Sequence, residues 1–229
     1  MKICGQSVMA LQMRFIMDWN FSCEEHNKIN DVEKYLGVDK IMQKEYGSVN
    51  MQIVSSGPDT KYQSIHYSYN KMIMEAQKNI FIVTPYFVPD DSIFQSLRIS
   101  ALSGVDVRIM IPANPDHPFV YGASLSYLGE LIEVGVKCYQ YENGFVHSKL
   151  MTIDGIVSSV GTANIDVRSF KLNFETNAFI YDVSVTDELE TEFLNDLEYC
   201  TLIDASWYNG RSRYVRIKES IGRLISPLL

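Results

Sequence analysis

The chain has 229 residues and a formal net charge of -8, with 28 acidic residues against 20 lysines and arginines. Its hydrophobic share of 46% and charged share of 21% are ordinary for a globular protein and argue against a disordered, collagen-like or coiled-coil chain. The acidic balance argues against non-specific nucleic-acid binding, for which a basic surface is expected. One α/β domain is the simplest expectation at this length.

The cysteines and the lengths of the apolar runs argue against further classes of protein. Four scattered cysteines without a C-x-x-C pair predict reduced thiols, not a zinc or redox motif. No apolar run reaches the ~18 residues that would span a bilayer, and the first residues lack a signal-peptide pattern. We therefore expect the chain as given to be soluble, while contact with a membrane surface is not excluded.

The first third of the chain predicts two helices, a linker and a strand. Apolar residues at three- and four-residue spacing over residues 7–19 predict an amphipathic helix. The charged stretch 24–39 predicts an exposed linker or surface helix. A short strand over 51–54 and a turn over 55–59 come next, followed by a helix whose apolar periodicity runs over 65–76.

Strands and helices then alternate regularly. The predicted strands cover 79–84, 105–111 and 136–141, and the predicted helices cover 91–103 and 119–134. Strands separated by helices of this length favour a sheet with parallel strands and helices packed on its faces.

After Gly144 the predicted strands follow each other closely. Strands are expected over 146–153 and 156–160, and the Asp154-Gly155 pair between them is typical of a tight hairpin turn. The remaining predicted elements are a strand and two helices, over 176–181, 187–199 and 210–224.

The most informative stretch begins at His147. On a strand, His147 and Lys149 would project from the same face and could bind one small anion together. Asp154 stands at the turn, where its carboxylate could influence this pair, and residues 161–164 (Gly-Thr-Ala-Asn) would add backbone donors and an amide. Such groups suit a phosphate. An isolated H-x-K pair is usually an ordinary polar strand face, but the longer pattern H-x-K-x-x-x-x-D followed by G-T-A-N favours a phosphate site.

The same pattern resembles the signature of the phospholipase D superfamily, and other segments resemble its bacterial cardiolipin synthases. Those segments are 84–89, 104–112, 159–164, 166–170, 172–175 and 223–229. The resemblance covers nearly the whole chain. It implies a phospholipase D-like α/β fold, a mixed sheet flanked by helices, as one of two half-domains that each carry one H-x-K motif.

Enzymes of this family build one active site from two such motifs, and this sequence contains only the second. We interpret residues 1–49 as a linker and helices that follow a first half, and residues 50–229 as the phospholipase D-like domain. The expected partner in the site is the missing N-terminal half or a second copy of this chain.

The resemblance also implies roles for the site residues. One histidine of the pair would form a phosphohistidine and the other would act as general acid and base; His147 could do either, and the second role is preferred. Lys149 and Asn164 would bind the non-bridging phosphoryl oxygens, and Asp154 would orient or tune the site. Glu175 would hold the partner histidine, unless it is a solvated carboxylate at a strand end.

Further residues are assigned to the surroundings of the site. Ser159, Gly161 and Thr162 would support it from the loop segment. Residues 116–118 (Asp-His-Pro) would lie at its rim or form a turn with a helix-capping Asp, and residues 86–87 (Tyr-Phe) would line a lipid entrance or pack in the core. No metal or other cofactor is predicted, because no cluster has metal-ligand spacing.

The implied activity is transfer of a phosphatidyl group between two phosphatidylglycerol molecules, giving cardiolipin and glycerol. Phosphatidylglycerol and other anionic phospholipids are the expected partners, and the full-length enzyme is expected at the cytoplasmic membrane. No nucleic acid is expected, because the chain is acidic. Two alternatives stay open: a homodimeric phosphodiesterase or nuclease of the same superfamily, and a non-catalytic interaction domain.

Overall fold

A computed structural model describes residues 1–37, 47–114, 116–212 and 222–223. The strands are β1 (Asn50–Ser56), β2 (Asn79–Val83), β3 (Phe87–Val88), β4 (Asp106–Pro112), β5 (Lys137–Tyr141), β6 (Leu150–Ile153), β7 (Val157–Gly161), β8 (Ile165–Asp166), β9 (Glu175–Tyr181) and β10 (Cys200–Ile203). The helices are α1 (Ser7–Ser22), α2 (Glu33–Leu36), α3 (Ser64–Glu75), α4 (Asp91–Leu102), α5 (Pro118–Ile132), α6 (Val167–Lys171), α7 (Val183–Asp196) and α8 (Ala205–Asn209), with 3-10 turns at Glu25–Asn27 and Leu197–Tyr199.

In the part of the chain that the structure describes, eight strands form one mixed sheet in the order β1-β9-β7-β6-β2-β4-β5-β10. Strands β2, β4 and β5 are parallel neighbours, because helices α4 and α5 carry the chain back between them. The other neighbouring pairs are antiparallel. Strands β3 and β8 form a separate parallel pair. The predicted mixed sheet flanked by helices is confirmed.

Both faces of the sheet are buried at its centre. Ile80 and Ile82 of β2 belong to the larger apolar cluster, with residues of α3, α4 and α5. Phe81, on the opposite face, stacks on Phe193 of α7 with 4.8 Å between ring centroids. A strand covered on both faces needs apolar residues at successive positions, which explains the unbroken apolar run of β2 after Asn79.

The regular alternation of strands and helices over residues 79–141 is confirmed. Helix α7 starts earlier than the predicted 187–199 because the Asp182 side chain accepts a hydrogen bond from the Val185 backbone amide at 3.0 Å. Strands β3, β8 and β10 and helices α6 and α8 were not predicted. The helix predicted over 210–224 and the resembling segment 223–229 lie largely outside the described residues.

The hairpin between β6 and β7 turns at Asp154 and Gly155, as predicted. Both residues are left-handed, with φ angles of 57° and 69°, the conformation that this kind of tight turn requires. The strand predicted over 146–153 begins only at Leu150. The expectation that His147 and Lys149 lie on a strand is therefore wrong; both lie in the segment that leads into β6.

Candidate active site

The segment before β6 holds His147 and Lys149 at one edge of the sheet. Leu150 pairs with Val83, so this edge is where the parallel strand β2 ends. The Gly161 amide donates to the Lys149 carbonyl at 3.2 Å and so ties the segment to the end of β7. Carboxyl ends of parallel strands are the usual place for sites in α/β sheets. The topology therefore brings the His-Lys pair to an edge where a site is expected.

His147 and Lys149 differ sharply in exposure. The imidazole of His147 is exposed and stacks on the exposed ring of Phe145, with 5.6 Å between centroids. Lys149 is only 9% exposed, and its Nζ donates to the His147 carbonyl at 2.9 Å. An ammonium has three donors. Among the described residues the carbonyl is its one hydrogen-bonded partner, which leaves two donors for an anion.

Three carboxylates act on the buried ammonium. Burial lowers the pKa of Lys149, and the negative charges of Glu175, Asp166 and Asp116 oppose that shift. Burial, the larger effect, disfavours the ammonium form, and the three carboxylates partly offset it. The structure thus provides a fixed, largely dehydrated cation beside an exposed imidazole.

Glu175 is buried at the start of β9. It is 7% exposed and accepts a hydrogen bond from Asn173 Nδ2 at 3.2 Å. The alternative of a solvated strand-end carboxylate is therefore wrong. Its charge acts on Lys149, which places it within the same cluster. Its contact with a partner histidine stays a prediction.

Asn164 and Asp166 lie next to the pair. The Asn164 side chain hydrogen-bonds Asp166, while burial, the larger effect, raises the pKa of Asp166. Asn164 Oδ1 is buried and has no hydrogen-bond partner among the described residues. The role of Asn164 in binding phosphoryl oxygens stays a prediction; its side chain lies next to Asp166, whose charge acts on Lys149.

Asp154 is not part of this cluster. Its carboxylate accepts hydrogen bonds from the backbone amides of Gln77, Lys78 and Asn79, at 2.9, 2.7 and 3.0 Å. Asn79 begins β2, so Asp154 lies at the opposite end of the strands from Lys149. At the usual rise per residue of a strand, the two residues are roughly 17 Å apart. The Asp154 carboxylate thus fastens the hairpin turn to β2, which favours a structural role over the orienting role expected from the motif.

The supporting residues hold the loop after β7, and they do so through Asn177. This side chain is fully buried; its Nδ2 donates to Ser159 Oγ at 3.0 Å and to Tyr69 Oη at 2.8 Å, and its Oδ1 accepts from the Ala163 amide at 3.2 Å. Burial raises the pKa of Tyr69 to about 12. A Cβ on Gly161 would lie 2.3 Å from Asn177 Cγ, so only glycine fits there.

Sequence reasoning missed Asn177. The available signal was an amide in the middle of the apolar strand β9, because a buried amide needs partners for both its oxygen and its nitrogen. Thr162 supports the same loop, since its Oγ1 accepts from the Thr176 amide at 2.9 Å. Ser159, Gly161 and Thr162 are thus placed as scaffold around the site.

A cavity of about 200 Å³ opens beside Asn164. Tyr86 and His117 line one side of it, and the Tyr86 hydroxyl donates to Asp116. The N-cap of α5 is His117 and not Asp116, so the alternative of a helix-capping Asp is wrong. A position of this segment at the rim of the site stays a prediction. Phe87, by contrast, is completely buried in the core.

A second cavity, of about 660 Å³, lies between the first residues of the chain, residues 47–51 and the pair Ile180 and Val185. It contains none of the predicted site residues. Within the described residues, no group of three or more His, Cys, Asp or Glu side chains is arranged to hold a metal ion. In the same part of the chain, no helix has both the length and the apolar character to cross a membrane.

The fold and the His-Lys pair together define a phospholipase D-like domain. The chain is similar in structure to the phosphatidylserine synthase of Haemophilus influenzae, with a TM-score of 0.69 and 14% identity, over 98% of this chain and 62% of that one. It is also similar to Nuc, a phospholipase D family member from Salmonella typhimurium, with a TM-score of 0.58 and 16% identity, over 69% of this chain and 99% of that one. At such identities these likenesses show the fold.

The sequence comparisons are more specific. Residues 69–197 match the family model described as "Cardiolipin synthase, PLD-like domain", and the chain belongs to this family. It is 50% identical over 229 residues to the cardiolipin synthase of Oceanobacillus iheyensis, and 47% identical over 231 residues to the major cardiolipin synthase ClsA of Bacillus subtilis. Each alignment covers 100% of this chain and 46% of the relative. The chain thus spans about half the length of these curated relatives and corresponds to their C-terminal half.

Proposed function

We propose that this chain supplies one half of the active site of a cardiolipin synthase, which moves a phosphatidyl group between two phosphatidylglycerol molecules and releases glycerol. The observation that carries the proposal is the exposed imidazole of His147 beside the buried ammonium of Lys149, in a domain of this family. An exposed imidazole can reach a phosphodiester, and the ammonium can neutralise its non-bridging oxygens.

The reaction divides into two displacements at phosphorus. One histidine nitrogen forms a bond to phosphorus as the bond to the glycerol oxygen breaks, and the other histidine protonates that oxygen. The second histidine then removes the proton of the acceptor hydroxyl, whose oxygen bonds to phosphorus as the phosphohistidine bond breaks. Histidine serves both roles because imidazole gains and loses a proton near neutral pH.

Two histidines must therefore face one phosphorus. His147 supplies one, and we prefer for it the general acid and base role. The match to half the length of the relatives favours an N-terminal half as the source of the other, and a second copy of this chain is the alternative. Because the substrates are membrane lipids, we place the complete enzyme at the cytoplasmic membrane.

Lys149 would take the place that a metal ion has in many phosphoryl transferases. Two of its donors are available, and three carboxylates partly offset the lowering of its pKa by burial. Asn164 lies close enough to Asp166 to hydrogen-bond it and would, together with Lys149, bind the oxygens of the phosphoryl group. Glu175, in the same cluster, would position the partner histidine.

The proposal is tested with a two-half enzyme in which the N-terminal half of the Oceanobacillus iheyensis relative precedes this chain. Labelled phosphatidylglycerol and labelled single-stranded DNA are supplied separately, and the products are separated. We expect cardiolipin and glycerol from the lipid and no cleavage of the DNA. His147→Ala should abolish the reaction, while His26→Ala, at an exposed histidine outside the site, should not.

Cleavage of DNA without lipid turnover would replace the proposal with a nuclease. Binding of lipid without turnover of either substrate would indicate a non-catalytic interaction domain.

A further inference from the structure

The proposed reaction needs a second binding site for an anion. The acceptor is itself a phosphatidylglycerol, so its attacking hydroxyl is joined through glycerol to a phosphodiester of its own. Water and free glycerol have no such group. An enzyme that uses a phospholipid as acceptor therefore gains from a second cation near Lys149 but separate from it.

The cavity beside Asn164 has such a cation at its wall. Arg168 lines it together with Tyr86, His117 and Asn173. Arg168 is exposed, and its charge acts on Asp166, which lies in the same wall. A guanidinium is well suited to this task, because its planar donors can hold two oxygens of one phosphate.

The backbone around Arg168 is firmly held. Helix α6 begins at the Asp166 side chain, which accepts from the Ser169 amide at 2.6 Å. The Arg168 carbonyl accepts from the amides of Leu172 and Asn173, at 2.8 and 3.1 Å. Phe170, two residues further on, is buried and packs against His66 with 5.0 Å between ring centroids. The backbone position of Arg168 is thus fixed by its own helix.

The cavity also adjoins the phosphoryl site. Asn164 and Asp166 line it, and the charge of Asp166 acts on Lys149. Asn164 Oδ1 is buried without a hydrogen-bond partner among the described residues, and a hydroxyl of a bound ligand would satisfy it.

We propose that this cavity is the acceptor subsite, in which Arg168 binds the phosphodiester of the acceptor phospholipid and Asn164 Oδ1 accepts a hydrogen bond from its glycerol. The inference rests on the proposed function. It makes Arg168 a residue that selects a phospholipid acceptor over an acceptor without phosphate.

The test compares two acceptors in the same two-half enzyme. Phosphatidylglycerol in detergent micelles is given with labelled glycerol, and both cardiolipin formation and glycerol exchange into phosphatidylglycerol are measured. Free glycerol carries no phosphate, so exchange does not use the guanidinium as an anion site. The readout is the ratio of cardiolipin to exchanged glycerol. Arg168→Met should lower this ratio at least about tenfold, the effect of losing a hydrogen bond to a charged group.

Two further variants sharpen the result. Arg168→Lys keeps the positive charge but lacks the planar guanidinium. Its ratio of cardiolipin to exchanged glycerol should fall between those of the parent and Arg168→Met. Lys171→Met removes an exposed positive charge from the same helix, outside the cavity lining, and should leave the ratio unchanged.

An unchanged ratio in Arg168→Met, or an equal ratio change in Lys171→Met, would overturn the inference. Because the ratio is taken within one sample, a variant that folds poorly loses both products together and does not imitate the expected result. A parent enzyme that makes neither product would instead refute the proposed function, so the two failures are distinguishable.

Discussion

Replacing Asp154 separates a structural role from a catalytic one within the H-x-K-x-x-x-x-D motif. Its carboxylate accepts three backbone hydrogen bonds from Gln77, Lys78 and Asn79 at the far edge of the sheet from Lys149. We therefore expect Asp154 substitutions to lower the free energy of unfolding and to affect turnover only through the loss of folded protein.

The magnitude follows from the contacts. A hydrogen bond to a charged group contributes about 1.5–3 kcal/mol, but the amides of Gln77 and Lys78 are exposed and count for less. Three such bonds are then worth about 3 kcal/mol in total. Alanine at φ 57° adds about 1 kcal/mol of strain. An asparagine side chain at this position would tolerate the same φ and keep one acceptor oxygen, so Asp154→Asn should cost only about 1–2 kcal/mol.

The assay combines urea unfolding with turnover per folded molecule in the two-half enzyme. We expect the order parent, Asp154→Asn, Asp154→Ala in the midpoint of unfolding, with similar turnover once corrected for the folded fraction. Asp187→Ala, at an exposed carboxylate on α7, is the matched control and should change neither quantity. An Asp154→Asn variant with parent stability and strongly reduced turnover would refute the reasoning.

Three other predictions concern the site itself. Lys149→Ala should lower turnover at least about 100-fold by removing charge stabilisation of the phosphoryl oxygens. Lys149→Arg should restore little activity, because a planar guanidinium does not fit a buried ammonium site. Parent-like rates in either variant would contradict the role of Lys149. Asn177→Ala should lower the free energy of unfolding by about 3 kcal/mol, because it leaves the buried Ala163 amide without its acceptor; urea unfolding checks this, and a loss below about 1 kcal/mol would contradict it. Turnover should survive exhaustive treatment with EDTA, since Lys149 supplies positive charge at the phosphate; activity that is lost and then restored by a stoichiometric divalent ion would contradict a metal-free mechanism.

The parts of the fold that follow from local pattern were predictable from the sequence. Strands β2 and β4 contain apolar runs, whereas β5 mixes polar and apolar residues. The helices between these strands favour parallel pairing. The turn at Asp154 and Gly155 is equally local, because both residues tolerate a left-handed conformation.

Contacts between distant segments were not predictable in the same way. The motif spacing groups Asp154 with His147, yet β6 carries it to the opposite sheet edge, where its partners are the amides that begin β2. Strand β10 pairs antiparallel with β5, and its sequence Cys-Thr-Leu-Ile is too short for a clear period. Asn177 gains its role only when β9 meets Tyr69 of α3 and the loop after β7.

The sequence identified residues of the candidate site but not the way in which the fold positions them. His147 and Lys149 were identified from their spacing, but the predicted reason, a shared strand face, is wrong. Both residues lie instead in the segment before β6, where Lys149 Nζ donates to the His147 carbonyl. The burial of Glu175 beside this pair depends on where β9 starts, which the sequence pattern placed one residue too late.

His147 and Lys149 are proposed above all as half of a site that needs a second histidine. The most direct measurement follows labelled phosphatidylglycerol turnover by this chain alone over a range of concentrations, with sedimentation in parallel, and then with the N-terminal half of the Oceanobacillus iheyensis relative added. We expect no cardiolipin from the chain alone at any concentration, and formation that requires both the added half and His147. Robust formation by the chain alone, rising with its dimer fraction, would contradict this and make two copies of His147 a self-sufficient pair.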